Sequence, residues 1–175
     1  LIGVTENDGS VTDVRVIGEI FVLNNEDTEL PDDPDSLPGE GEPDSPFGVG
    51  GLIGENAVNV SQATTEVSIT VANTSKIGGL IGENNGNINQ STSDISITGA
   101  NISEVGGLVG GNSLLIESSQ SKGSVTADSG DDIGGIIGYS EWSSDRPFSN
   151  LRSNVSIIAI NSSNVGGLVG RAGGS

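Results

Sequence analysis

The chain has 175 residues, 24 acidic against 6 basic side chains, a formal net charge of −18, only 3% aromatic residues, and no Cys, Met or His. Such a composition excludes disulfides, thiolate or imidazole metal sites and every catalytic scheme that needs Cys or His. It also leaves no basic face for nucleic acid or for an anionic membrane. Abundant Gly, Ser, Thr and Asn around short Val/Ile runs predict thin layers of strand closed by tight turns, with no helix and no thick core.

In chain order, Leu1-Ile2-Gly3 matches the end of a motif that returns in full as Val49-Gly-Gly-Leu-Ile-Gly54, Ile77-Gly-Gly-Leu-Ile-Gly82, Val105-Gly-Gly-Leu-Val-Gly110, Ile133-Gly-Gly-Ile-Ile-Gly138 and Val165-Gly-Gly-Leu-Val-Gly170. Three intervals are 28 residues and the last is 32. A fixed period of this size marks stacked coils, each burying its apolar face only against its neighbours. The double glycines suit a corner that needs positive φ or close backbone approach.

Residues 24 to 48 break the first coil with an acidic, proline-rich stretch that cannot form a core, which predicts a surface loop. Its carboxylates include Asp32, Asp33, Asp35, Glu40 and Glu42, hard oxygen donors that make Ca2+ the one cofactor suggested. The competing reading is a solvated acidic loop, and neither EF-hand nor β-roll calcium spacing is present.

Further along, Val60, Ile88, Ile116 and Phe148 form one apolar column and Ile69, Ile97, Val125 and Ile157 another. Val67, Ile95 and Val155 lie two residues before the second column, and Val71 and Ala159 two after, which is the period-2 alternation of a half-buried strand. Ser68, Thr70, Ser96 and Thr98 then face solvent. Asn56, Asn84 and Asn112 align as a polar turn ladder, and residues 139 to 147, with the only Tyr and Trp, predict a smaller loop. The expected fold is all-β: one domain over residues 1–175, a right-handed parallel β-solenoid of about six coils about 4.8 Å apart.

Six Asn-x-Ser sequons, at Asn59, Asn73, Asn89, Asn101, Asn154 and Asn161, are candidate glycosylation sites. Glu55 and Glu83 share a column one coil apart, but no complementary base, arginine clamp or aromatic sugar platform accompanies them. Solvated charge accounts for them better than catalysis.

The glycine motif, in five copies across essentially the whole chain, resembles the GLUG repeat of large exported bacterial and archaeal surface proteins, among them adhesin-like proteins and the non-catalytic parts of some secreted peptidases. The resemblance implies a secreted or cell-surface location and a structural or adhesive role rather than an enzymatic one. The residues themselves leave one alternative, a binding module for polysaccharide or ice that uses the outward ladder Ser68/Thr70, Ser96/Thr98 and Ser124/Thr126. Ser156-Ile-Ile158 breaks that ladder in the fifth coil.

Assembly is expected from the motif itself. Leu80 and Ile81 are adjacent, so in an extended strand one faces out, which predicts an outer apolar stripe such as Ile53, Ile81, Val109, Ile137 and Val169. The stripe is expected to be covered by the acidic loop, by a flanking domain or by a neighbouring chain, with self-association preferred; coil edges left open at Leu1 and after Gly170 also invite stacking, and the competing reading of those edges is a cut through a longer array with neighbouring repeats.

Overall fold

The computed structural model describes residues 2–4, 9–23, 48–141 and 148–173, and in these the repeat closes into a parallel β-solenoid with three faces per coil. The motif face stacks Ile2–Val4, Ile53–Asn56, Ile81–Asn84, Val109–Asn112, Ile137–Glu141 and Val169–Gly173. The short face stacks Ser10–Thr12, Asn59–Ser61, Ile88–Asn89 and Ile116–Glu117, with a bridge from Glu117 to Ser149. The long face stacks Arg15–Leu23, residues 64–72, residues 92–100, Gln120–Asp128 and Arg152–Ile160. Every pairing is parallel, and each residue sits over its equivalent in the next coil, as in Ile69↔Ile97↔Val125↔Ile157.

Six rungs occur on the motif face alone, so the expected six coils reduce to about four complete turns. The first rung is interrupted by residues 24–47, which lie outside the described residues together with the calcium candidates Asp32, Asp33, Asp35, Glu40 and Glu42.

Non-glycine residues in the left-handed region turn the corners. Their positive φ values fall in three columns: Asp13, Gln62, Gln90, Ser118 and Asn150; Asn73, Asn101, Ser129 and Asn161; Lys76, Glu104, Asp132 and Asn164. The motif glycines meet the other of the two demands expected of them. Among the described glycines, φ is left-handed only at Gly123. A Cβ on the first motif glycine, Gly78 or Gly106, would overlap the carbonyl of Ile81 or Val109 in the same turn. On the second, Gly79 or Gly107, it would overlap the backbone of Gly107 or Gly135 one coil on. On the third, Gly110 or Gly138, it would strike the backbone at Lys76–Ile77 or Glu104–Val105 of the preceding corner. Here backbone packs on backbone, and only Gly permits that approach.

The same turn overturns the outer apolar stripe. Ile53, Ile81, Val109 and Ile137 are fully buried, and so are Leu80, Leu108 and Ile136; Val169, on the last rung, is partly buried against the same cluster. The expectation assumed an extended Leu-Ile pair. The chain instead bends at the second glycine and the Leu, and the N–H groups of Leu80 and Ile81 both donate to the carbonyl of Leu108, at 2.9 and 3.1 Å. A bend removes the in-and-out alternation of a pleated strand and turns both side chains inward.

One core cluster joins these residues to Val60, Ile88 and Ile116, with Phe148 packed against it; a second lies behind the long face around Ile69, Ile97 and Val125, with Ile157 against it. Both expected core columns are therefore interior. The Asn ladder also forms, Asn56 Nδ2 donating to Asn84 Oδ1 and Asn84 Nδ2 to Asn112 Oδ1, each at 2.8 Å and buried. A second polar column lies inside: the hydroxyls of Thr65, Ser93 and Ser121 donate to the carbonyls of Gly79, Gly107 and Gly135. Tyr139, Ser140 and Glu141, expected in the smaller loop, instead complete the motif strand, and only residues 142–147 of that insertion lie outside the described residues.

Candidate functional site

Two surfaces gather polar side chains. The first is a cleft where the corner column Lys76/Glu104/Asp132/Asn164 runs beside the outward motif column Glu55/Glu83/Gly111/Tyr139/Arg171. The two columns are offset by seven residues in every coil, so Lys76 meets Glu83 of its own coil, while Asp132 reaches Arg171, which lies over Tyr139 in the next coil. Lys76 Nζ lies 2.7 Å from Glu83 Oε2, both side chains partly buried. Asn164 Nδ2 donates to Asp132 Oδ1 at 2.8 Å, Arg171 Nη1 is 3.8 Å from Asp132 Oδ2, and the Arg171 guanidinium sits 5.7 Å from the centre of the Tyr139 ring.

Gly111 leaves a gap in this column. The gap opens a depression of about 190 Å3 lined by Lys76, Glu83, Glu104, Asn112, Tyr139 and Glu141, and a Cβ at position 111 would come within 3.0 Å of Glu104 Oε2. Burial pushes the Glu104 carboxyl above its ordinary value; Lys76 pulls it down, while Asp132 and Glu83 push it further up. Glu55 and Glu83 stand in register on the same side of the strand, one coil apart. They do not face each other across a gap, as paired acid and base carboxyls must. Among the described residues no group of three or more His, Cys, Asp or Glu is placed to hold a metal ion.

The second surface is the outward side of the long face. Ser68, Ser96, Ser124 and Ser156 stand in one column and Thr70, Thr98, Thr126 and Ile158 in the next, with Glu19 and Phe21 below them on the first rung. Salt bridges cross neighbouring rungs at Arg15–Glu66, 2.7 Å, and Lys122–Asp94, 2.8 Å. Asp94 raises the Lys122 ammonium above its ordinary value by accepting its hydrogen bond and by its charge.

The sequons spread over several sides of the coil. Asn73, Asn101 and Asn161 occupy a left-handed corner, where Asn101 Nδ2 donates to Asn73 Oδ1 at 3.0 Å and Asn161 Nδ2 to Asp128 Oδ1 at 3.3 Å. Asn59 and Asn89 are exposed on the short face and Asn154 on the long face. Asn89 is exposed, but Ser91, the third residue of its sequon, is buried and donates to the carbonyl of Asn89.

No family model, curated protein or solved structure matches this chain.

The cleft was not anticipated. Its signal in the sequence is the seven-residue offset between Lys76 and Glu83, Glu104 and Gly111, Asp132 and Tyr139, but that offset acquires meaning only once the corner column is known to be left-handed and adjacent.

Proposed function

We propose that the chain is a structural and adhesive repeat module, without catalytic activity, of a secreted or cell-surface protein of the GLUG type. One observation carries this reading: apart from the outward Ser and Thr columns of the long face, the residues that recur from coil to coil are spent on building the rod. The three motif glycines, the Leu and Ile between them, the Asn ladder and the inner hydroxyl column all contact the coil itself or the coil beside it. Sequence that recurs chiefly for stacking suits a spacer or display surface made from one repeated unit. The acidic, lysine-poor exterior supports an extracellular setting, since a large single-sign charge keeps a rod soluble and apart from anionic surfaces.

The reading is tested on cells that make the protein. Antibody should label intact cells, and beads coated with the chain should be retained on the surfaces to which those cells attach. Labelling only after lysis would overturn the location, and beads that are not retained would overturn the adhesive role.

A further inference from the structure

We propose that the outward side of the long face docks a second copy of this chain, face to face, about a twofold axis parallel to the strands. The proposal stands apart from the structural reading above, because a strictly monomeric rod could still serve as a scaffold.

Charge and exposure single out this face. On a chain of net charge −18, three of the six basic residues, Arg15, Lys122 and Arg152, point outward here beside Glu19, Glu66, Asp94 and Asp128, so the face is close to neutral. It also carries four of the six large apolar side chains exposed among the described residues: Ile17 and Phe21 at 64% and 67% on the first rung, and Ile158 and Ile160 at 57% and 54% on the fifth. Between them lie Ser, Thr and Ala side chains and the charged column Glu66, Asp94 and Lys122. Large apolar side chains left exposed on a nearly neutral face of an acidic rod are expected to be covered.

A twofold axis along the strand of residues 92–100 brings the apolar side chains of Arg15–Leu23 onto those of Arg152–Ile160. It keeps each column and reverses the rungs, so the first rung meets the fifth and the second meets the fourth. Phe21 then packs on Ile158 of the second copy, and Glu66 faces its Lys122, each contact made twice. Asp94 meets its own equivalent on the axis, but each Asp94 is already neutralised by Lys122. Arg15 and Arg152 meet at the rim, where Glu66 holds Arg15. The Ser and Thr columns of the three middle rungs let the two sheets approach there, beside the paired charges of Glu66, Asp94 and Lys122, and aligned sheet packing of this type is common. Five rungs about 4.8 Å apart and nine residues of about 3.3 Å each give a footprint of roughly 500 Å2. That is at the small end of specific interfaces, so the dimer should be weak. A neutral polysaccharide could use the hydroxyl columns but would leave Phe21, Ile158 and Ile160 in water.

Sedimentation velocity on the whole chain over a wide concentration range tests the proposal, with circular dichroism as the check on folding. The parent is expected to pass from monomer to dimer as concentration rises. Phe21→Glu with Ile158→Glu should raise the dissociation constant about tenfold or more and leave the strand spectrum unchanged, both residues being exposed. Orientation is read by charge reversal: Glu66→Lys and Lys122→Glu should each weaken the dimer, and the two together should restore it. A parent that stays monomeric overturns the proposal, and retention of that monomer on polysaccharide, or its inhibition of ice recrystallisation, would assign the face to that ligand instead. A double charge reversal no better than either single one overturns the twofold.

Discussion

The motif corner and the long face are built from the same 28 residues, yet they tolerate change in opposite ways. At the corner two strands of a coil and the coil beside it meet backbone to backbone, and nearly every atom from Gly78 to Gly82 is buried. On the long face only alternate residues are buried, and one outward column runs Ile17, Glu66, Asp94, Lys122, Asn154 without disturbing the pairing. The comparison teaches that contact with backbone forces recurrence. A position that touches a neighbouring carbonyl has one solution, whereas a position that touches water has many. The left-handed corners make the same point, since they accept Asp, Gln, Ser, Asn, Lys and Glu where a glycine would have been the simplest choice.

The sharpest contrast lies between glycines at equivalent motif positions. Gly107→Ala forces a Cβ into the Gly135 carbonyl and the Ser121 side chain and should cost at least about 3 kcal/mol. Gly167→Ala, at the same motif position but with nothing within 4 Å of its Cβ, should lie within about 0.5 kcal/mol of the parent. Urea titrations followed by circular dichroism measure both; equal losses would mean that the glycine is needed for its own conformation and not for its neighbour.

Next in size is the buried amide ladder. Asn84→Ala removes the bonds to Asn56 and Asn112 and those to the carbonyl and N–H of Gly86, and should cost about 2–3 kcal/mol. Ser96→Ala, an outward substitution on the long face, should stay within about 0.5 kcal/mol in the same titration.

The corners should fall between these regions. Asn101 has φ 51°, so Asn101→Val places a β-branched side chain in the left-handed region and should cost about 1–2 kcal/mol, while Asn101→Gly should be close to neutral. A thermal unfolding series over the two variants checks the order.

The smallest effect expected is the titration of Glu104. Its carboxyl is raised in the folded chain above the ordinary 4.5, chiefly by burial, so the folded state binds the proton more tightly than the unfolded state. The stabilisation is full at low pH and is lost as pH rises through the window above 4.5. Glu104→Gln should therefore flatten the pH dependence of stability in that window and raise stability at pH 7, by less than about 1 kcal/mol because the site is half open to water. A variant less stable than the parent at pH 7 would show that the Lys76 attraction outweighs burial.

Much of the fold was legible because a stacked coil repeats its contacts in sequence. The columns Val60/Ile88/Ile116 and Ile69/Ile97/Val125 and the Asn ladder could be read off the period, since residues one period apart must sit one above another. What could not be read is local backbone direction. Leu80 and Ile81 look like an alternating pair, and only the bend at the glycine turns both inward. The cleft escaped for a related reason: Glu104 and Tyr139 lie 35 positions apart in sequence, and their meeting depends on a left-handed corner that Lys, Glu, Asp and Asn occupy without any common chemical signature. The long-face docking surface was half visible, its Ser/Thr columns in the sequence and its near neutrality only once outward residues were known.

The central claim, that both apolar residues of the motif point into the rod, can be measured directly because the chain has no cysteine. Single Leu80→Cys, Ile81→Cys and Thr98→Cys variants, treated with a thiol reagent under native conditions, report which positions meet solvent. The bend predicts that Cys at 80 and Cys at 81 are both protected until the chain is unfolded while Cys at 98 reacts at once; rapid labelling at either 80 or 81, with the other protected, would restore the extended strand and contradict the account.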